Sequence, residues 1–255
     1  MAAAELKELL STILSLIDFT SLEGTDSDKS TVDLCRRAMD FGEKGLPVPA
    51  AVCIFSPFIR TAHRELSGSG IRIATVAGGF PHGQVPLQAK QEEVAFAVNQ
   101  GADEVDIVFS RGNFLAGHQQ QVYDEIATLR DICKPLTLKV ILETGELGTP
   151  EHISEASDVA LRAGADFIKT STGKIPSGAT EQGVIIMLER IRNYYETTGI
   201  RRGIKPSGGI ADPDRALMFY ELVSSRLGEA WLSKELFRFG ASRLAGKLAE
   251  KIHPD

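Results

Sequence analysis

The sequence is short of several residues that mark specialised proteins. Its 255 residues hold only three cysteines, Cys35, Cys53 and Cys133. An odd, widely spaced set provides neither a disulfide framework nor zinc-ligand spacing. Its five histidines, His63, His82, His118, His152 and His253, have no close pairing, so no metal is expected. No apolar run approaches the roughly 20 residues that span a bilayer, and no membrane association is expected. The opening residues, Met1-Ala2-Ala3-Ala4-Glu5-Leu6-Lys7-Glu8, lack the basic segment and apolar core of a secretion signal. Positive charge is not in excess: 28 Lys and Arg against 34 Asp and Glu leave −6. That balance argues against nucleic acid as a partner. With 43% hydrophobic and 24% charged residues, disorder and collagen are excluded as well. The expectation is a cytoplasmic globular protein, in which one small basic pocket for an anion is still compatible with the acidic total.

What the chain does contain is a series of short apolar runs rich in Val, Ile and Phe. They lie at 51–55, 72–76, 105–109, 138–142, 167–170, 203–206 and 236–239, with a weaker one at 14–18. Near-continuous apolar runs indicate strands buried on both faces, the mark of a parallel sheet. The intervals are long enough for crossover helices. One of them, 88–100, puts Val94, Ala97 and Val98 on one helical face. Gly101-Ala102-Asp103 and Gly164-Ala165-Asp166 repeat 63 residues apart, with one run between them. Each glycine stands where a helix would end in a left-handed cap. The spacing makes β-α units of about 31 residues, and eight such units nearly exhaust the chain, as a (β/α)8 TIM barrel requires. The expected fold is one such domain over 1–255 with an extra N-terminal helix. A doubly wound open sheet is the alternative, but the nucleotide-binding glycine fingerprint it calls for is missing.

In a barrel of this kind the site lies at the C-terminal ends of the strands. Three lysines, Lys139, Lys169 and Lys205, interrupt the fifth, sixth and seventh runs. Lysine is almost never fully buried without a partner. Asp18, Asp106 and Glu143 offer opposite charge. One such lysine could serve an ion pair; three on neighbouring strands are hard to explain by packing. A free lysine has a pKa of about 10.4 and is unreactive near neutrality. Burial and a neighbouring ammonium both favour the neutral amine. That amine attacks carbonyls to give a Schiff base. Lys169 and Lys205 are expected on adjacent strands, about 4.8 Å apart.

Glycine and hydroxyl clusters follow the same runs: Thr170-Ser171-Thr172-Gly173-Lys174, Pro206-Ser207-Gly208-Gly209 and Gly240-Ala241-Ser242-Arg243. Each glycine alone reads as a turn. Three clusters after consecutive strands read as a phosphate site, with Lys174 and Arg243 adding charge and a helix start near Ser242 adding backbone N–H groups. His82 is expected to shape a loop. Cys53 reads as core by its place within a strand.

On these residues the chain resembles the deoxyribose-phosphate aldolases. The resemblance runs from Leu16-Ile17-Asp18-Phe19-Thr20 to Arg238-Phe239-Gly240-Ala241-Ser242 and is most specific at Gly164-Ala165-Asp166-Phe167-Ile168-Lys169-Thr170-Ser171-Thr172-Gly173-Lys174. It implies Lys169 as the Schiff-base nucleophile, with Lys205 and Asp106 as proton donors and acceptors. Lys139 would stand behind them in the charge network. It also implies substrate contacts from Asp18, Thr20, Cys53, Thr172, Gly173, Lys174, Gly208, Gly209, Gly240, Ser242 and Arg243. The implied substrates are a phosphosugar and an aldehyde, with no cofactor, because the imine itself withdraws electrons; a homodimer is an expected assembly. Another Schiff-base sugar-phosphate aldolase, of transaldolase type, and a non-catalytic phosphosugar-binding barrel are the rival readings. Two departures stand out. Arg243 occupies a position where many relatives have serine, and Ile252-His253-Pro254-Asp255 does not extend to the tyrosine-ended tail of some relatives.

Overall fold

Val, Ile and Ala with no polar interruption build strands that bury both faces. In the computed structural model, which describes residues 3–253, Ala51–Phe55 forms such a strand (β2) between β1 (Ile17–Thr20) and β3 (Arg72–Ala77). The series continues through β4 (Glu104–Val108), β5 (Thr137–Ile141), β6 (Phe167–Lys169), β7 (Gly203–Lys205) and β8 (Phe239–Ala241). All strand pairs are parallel, in the order β7-β6-β5-β4-β3-β2-β1-β8. The last seam closes through two single bridges, Ile204 to Phe237 and Ser207 to Gly240. The result is a (β/α)8 TIM barrel.

The helices between strands are α2 (Asp28–Glu43), α3 (Ile59–Glu65), α4 (Leu87–Gln100), α5 (Arg111–Leu115), α6 (Gln119–Cys133), α7 (Pro150–Arg162), α8 (Glu181–Thr198) and α9 (Pro213–Leu227). α10 (Leu244–Ile252) follows β8, and an extra helix, α1 (Ala3–Ser15), precedes β1 and packs against α10 and α9. Helix starts follow local chemistry. Ser27 opens α2 with a capping box, and Thr149 and Asp212 cap α7 and α9 ahead of Pro150 and Pro213. No described helix is long and apolar enough to cross a membrane. Pro254 and Asp255, in the C-terminal segment set against the tyrosine-ended tail of some relatives, lie outside the described residues.

The repeated Gly-Ala-Asp has a single physical explanation in both copies. Gly101 and Gly164 take φ of 90° and 99°, which ends α4 and α7. Ala102 and Ala165 are buried. The aspartates then tie to a neighbouring strand: Asp103 accepts from Ile73 N at 2.8 Å, and Asp166 from Leu138 N at 2.9 Å.

The ends of the chain shift two expected strands. β1 starts at Ile17, because Leu14 and Ser15 belong to α1. The run 236–239 is not itself β8. Phe237 makes only the seam bridge, and regular pairing with β1 begins at Phe239. Arg238 thereby falls at the foot of the strand, inside the barrel.

Candidate active site

Strand side chains alternate in direction, so Glu104 and Asp106 of β4 point the same way. That way is inward, where a barrel is ordinarily filled with branched apolar side chains. Here the interior holds Asp18, Glu104, Asp106, Lys139, Lys205 and Arg238, each 0% exposed, with Lys169 at 2%. Removing ions from water costs several kcal/mol per ion even after relaxation, so only close pairing makes this layer tolerable.

The pairing is a closed ring of alternating sign. Arg238 donates from Nη1 to Asp18 Oδ1 at 2.6 Å and from Nη2 to Glu104 Oε1 at 2.7 Å. On one arm Asp18 Oδ2 faces Lys205 Nζ at 2.5 Å, and Lys205 donates to Asp106 Oδ2 at 2.8 Å. On the other arm Glu104 Oε2 lies 2.6 Å from Lys139 Nζ, which donates to Asp106 Oδ1 at 2.7 Å. Lys139 also sits 3.5 Å from Asp18 Oδ2 across the ring. Three cations and three anions close on themselves. Lys169 stands outside this balance, donating to Asp106 Oδ2 at 2.9 Å.

Burial opposes every charge in the ring, and the partners decide which survive. Asp106 is held well below the ordinary carboxylate range: burial pushes it up, but Lys139, Lys169 and Lys205 together outweigh burial. Asp18 and Glu104 are lowered for the same reason. Lys205 and Lys139 are raised, because their carboxylates overcome desolvation. Of the cations in this layer, Lys169 alone goes down. Desolvation lowers it, Asp106 opposes that, and the Lys205 ammonium lowers it further. Its ammonium form would leave a seventh, unmatched charge in the layer. The neutral amine is the form the interior favours.

Lys169 also forms the floor of a cavity of about 220 Å3. From the list of expected contacts, Thr20, Thr172, Gly173, Lys174, Gly208, Gly209, Gly240, Ser242 and Arg243 line it. Asp18, Asp106, Lys139, Lys205 and Cys53 do not; they lie below it. Cys53 belongs to a small apolar cluster with Leu22, Ala51, Ala74 and Val76, and burial raises its thiol pKa. His82 accepts from Gln84 N at 2.9 Å and shapes its own loop.

The cavity rim is tightly built. Ser207 Oγ donates to Ser171 O at 2.5 Å, and Ser207 N donates to Thr170 Oγ1 at 2.9 Å, locking the loops after β6 and β7 together. Glu143 accepts from Thr172 N and Thr172 Oγ1, which fixes the turn leading to Lys174. Gly208 and Gly209 both have positive φ, 81° and 71°. Gly208 also packs so closely on Gly178 that a Cβ on Gly178 would overlap the Gly208 carbonyl. Gly240 has a different reason for being glycine: a Cβ there would lie 2.6 Å from Ser207 Cβ and 3.2 Å from Lys205 Cε. Lys174 reaches across the mouth to Glu23 at 3.2 Å.

Sequence reasoning missed Arg238, Glu104, Gly178 and the Glu143–Thr172 contact. The first two carried a usable signal. Arg238 sits between Phe237 and Phe239, and Glu104 lies two residues before Asp106, on the same strand face. Arg238 interrupts an apolar run as the three lysines do, and Glu104 stands directly before one. Gly178 gave no such signal, since its partner is distant in the chain; Glu143, expected as opposite charge for the lysines, instead accepts from Thr172.

A parallel barrel with a charge-tuned lysine at the floor of a glycine-rimmed cavity is the architecture of an enzyme of carbonyl chemistry. The model of the DeoC/LacD family aldolases matches residues 12–229. Human deoxyribose-phosphate aldolase is 40% identical over 253 aligned residues, covering 94% of this chain and 79% of the human protein. Deoxyribose phosphate aldolase from Aeropyrum pernix, a tetramer, superposes with a TM-score of 0.75 at 25% identity, covering 98% of this chain and 97% of that one. A Toxoplasma gondii structure reaches a TM-score of 0.88 over 98% of this chain and 96% of its own, and at 23% identity it speaks to the fold alone. The chain belongs to the DeoC/LacD aldolase family.

Proposed function

We propose that this barrel cleaves 2-deoxy-D-ribose 5-phosphate reversibly to D-glyceraldehyde 3-phosphate and acetaldehyde through a Schiff base on Lys169. The observation that carries this reading is Lys169 itself, at the floor of the cavity, whose one carboxylate partner, Asp106, is shared with Lys139 and Lys205. The 40% identical human relative bears the name of that reaction.

Neutral Lys169 adds to C1 of the open-chain aldehyde, and loss of water leaves a protonated imine. A base acting through Asp106, Lys205 and a water takes the C3 hydroxyl proton. The C2–C3 bond breaks, its electrons pass into the imine, and glyceraldehyde 3-phosphate leaves. The remaining enamine takes a proton at C2, and hydrolysis frees acetaldehyde and the amine. Positioned proton transfer of this kind contributes roughly 10²–10⁴-fold. The phosphate sits against Gly173, Gly208, Gly209 and Ser242, with Lys174 and Arg243 as cations. Its binding energy, remote from the reacting bond, orients the carbonyl over Lys169. Asp18 and Lys139 hold the charge network in place, Thr20 borders the substrate, and Cys53 closes the apolar side.

On this reading residues 1–255 form a single catalytic unit. A cytoplasmic setting agrees with three free, buried cysteines. A homodimer is proposed with it, and self-association has a precedent in the tetramer of the Aeropyrum pernix relative.

Borohydride reduction in the presence of substrate tests the nucleophile. A substrate-derived adduct is expected on the peptide carrying Lys169. An active preparation with no adduct there would overturn the assignment. Acetaldehyde in place of ketone donors separates this reaction from a transaldolase-type one.

A further inference from the structure

Arg238 and Glu104 do not line the cavity, yet they complete the ring that surrounds Asp106. Both are fully buried. Arg238 joins the lower ends of the two arms: through Asp18 it reaches Lys205, and through Glu104 it reaches Lys139. The arms then meet on opposite oxygens of Asp106. We infer that Arg238 and Glu104 are positioning residues that set the charge state of Lys169 from beneath, by making the six-membered ring electrically neutral without it. The inference rests on Lys169 being the nucleophile.

The physical basis is a count made where water cannot screen. Lys169 faces Asp106 of β4, Lys205 of β7 and Cys53 of β2; Lys139 of β5, Asp18 of β1, Glu104 of β4 and Arg238 at the foot of β8 stand behind these in the ring. From β3, Arg72 reaches Glu104 at 3.1 Å, but it is partly exposed and shared with Glu235 at 3.6 Å. Lys174 lines the cavity and Glu143 is buried against Thr172. The Cys53 thiol is neutral. With the ring complete, three anions meet three cations, and an added ammonium on Lys169 has no counter-charge of its own. Without Arg238, three anions face two cations, and a protonated Lys169 restores the balance. Without Glu104, the cations are already in excess, and protonating Lys169 becomes harder still. The two losses therefore act in opposite directions. A role limited to holding the barrel together has no sign of this kind.

The experiment compares the pH profile of kcat for deoxyribose phosphate cleavage in the wild-type enzyme, Arg238→Met, Glu104→Gln and the double variant. The acid limb reports loss of the neutral amine. For Arg238→Met the limb is expected to move to higher pH by about one unit or more, and for Glu104→Gln to lower pH, as a nearby charge shifts a buried lysine. In the double variant two anions, Asp18 and Asp106, face two cations, Lys139 and Lys205, so the two opposite shifts are expected to cancel and return the limb to its wild-type position. Shifts in the same direction, or no shift in either folded variant, overturn the inference. If neither single variant folds, the double variant decides: a wild-type limb supports the ring and a displaced limb refutes it. A failure of all three to fold makes the ring purely structural and also overturns it. Absence of a borohydride adduct on wild-type Lys169 is a separate result, and it removes the nucleophile assignment along with this inference.

Discussion

Lys169 and Lys205 are register partners on β6 and β7, and a single oxygen, Asp106 Oδ2, stands 2.9 Å from one ammonium nitrogen and 2.8 Å from the other. Sharing one oxygen makes the two lysines unequal, because Lys205 has a second carboxylate in Asp18 and Lys169 has none. The better-paired lysine is pushed above the ordinary lysine range and the poorly paired one below it. Two identical side chains on adjacent strands thus acquire different chemistry from their neighbours.

The first prediction follows for Lys205→Leu. The variant removes both the proton carrier and the ammonium that depresses Lys169. Turnover is expected to fall by roughly 10²–10⁴-fold. Stability is expected to drop by about 3–5 kcal/mol, since Asp18 and Asp106 lose a buried partner. Steady-state kinetics with circular dichroism on the same sample checks both, and unchanged turnover would refute the role given to Lys205.

A second prediction concerns Gly178. A side chain there collides with the Gly208 carbonyl and displaces the loop after β7. Overpacking of this sort costs about 1–3 kcal/mol. Gly178→Ala is expected to raise KM for the phosphorylated sugar about tenfold, the equivalent of about 1.4 kcal/mol. It is expected to leave kcat/KM for unphosphorylated deoxyribose close to wild type. Equal losses on both substrates would place Gly178 outside the phosphate site.

Stability against pH is the third. Asp18, Glu104 and Asp106 have folded-state pKa values below their unfolded ones, which are 3.8, 4.5 and 3.8. Their contribution is therefore complete above the unfolded values and is lost as pH falls through the lowered folded values. Thermal melts are expected to be flat from neutrality to about pH 5 with respect to these groups, and to decline steeply below about pH 4. Lys139, Lys205 and Arg238 are raised, so their contribution is intact at neutral pH and is lost only in strong alkali. A Tm that stays constant down to about pH 2 would contradict the ring as a stabilised unit.

The thiols supply the fourth. Burial pushes Cys35 and Cys133 up to about 11 and raises Cys53 as well. The thiolate is the reactive form, so all three are expected to resist iodoacetamide in the native protein at about pH 7.5 and to react fully once unfolded. Mass spectrometry counts the added groups. Rapid native labelling of Cys53 would show that the interior below the cavity opens to solvent.

Much of this molecule was legible from order along the chain. Apolar runs located the strands, and Gly-Ala-Asp revealed the repeat because the same backbone ties recur at Asp103 and Asp166. Lys139, Lys169 and Lys205 stood out because charge within an apolar run is costly wherever the run folds. The cavity lining was legible as three clusters following three strands. Less was visible at the chain ends, where α1 took the start of the expected first strand and the last strand began three residues late.

The sequence by itself determined which side chains would be forced inward, since alternation along a strand and the cost of burying charge are local facts. Tertiary structure alone decided how those charges pair. Asp18 and Arg238, 220 residues apart, meet only because the barrel closes β8 against β1. That closure completes the ring, and the ring leaves Lys169 with no carboxylate of its own beyond the shared Asp106. In a buried layer the charge state of each group depends on all the others at once, and that sum exists only after the strands have come together.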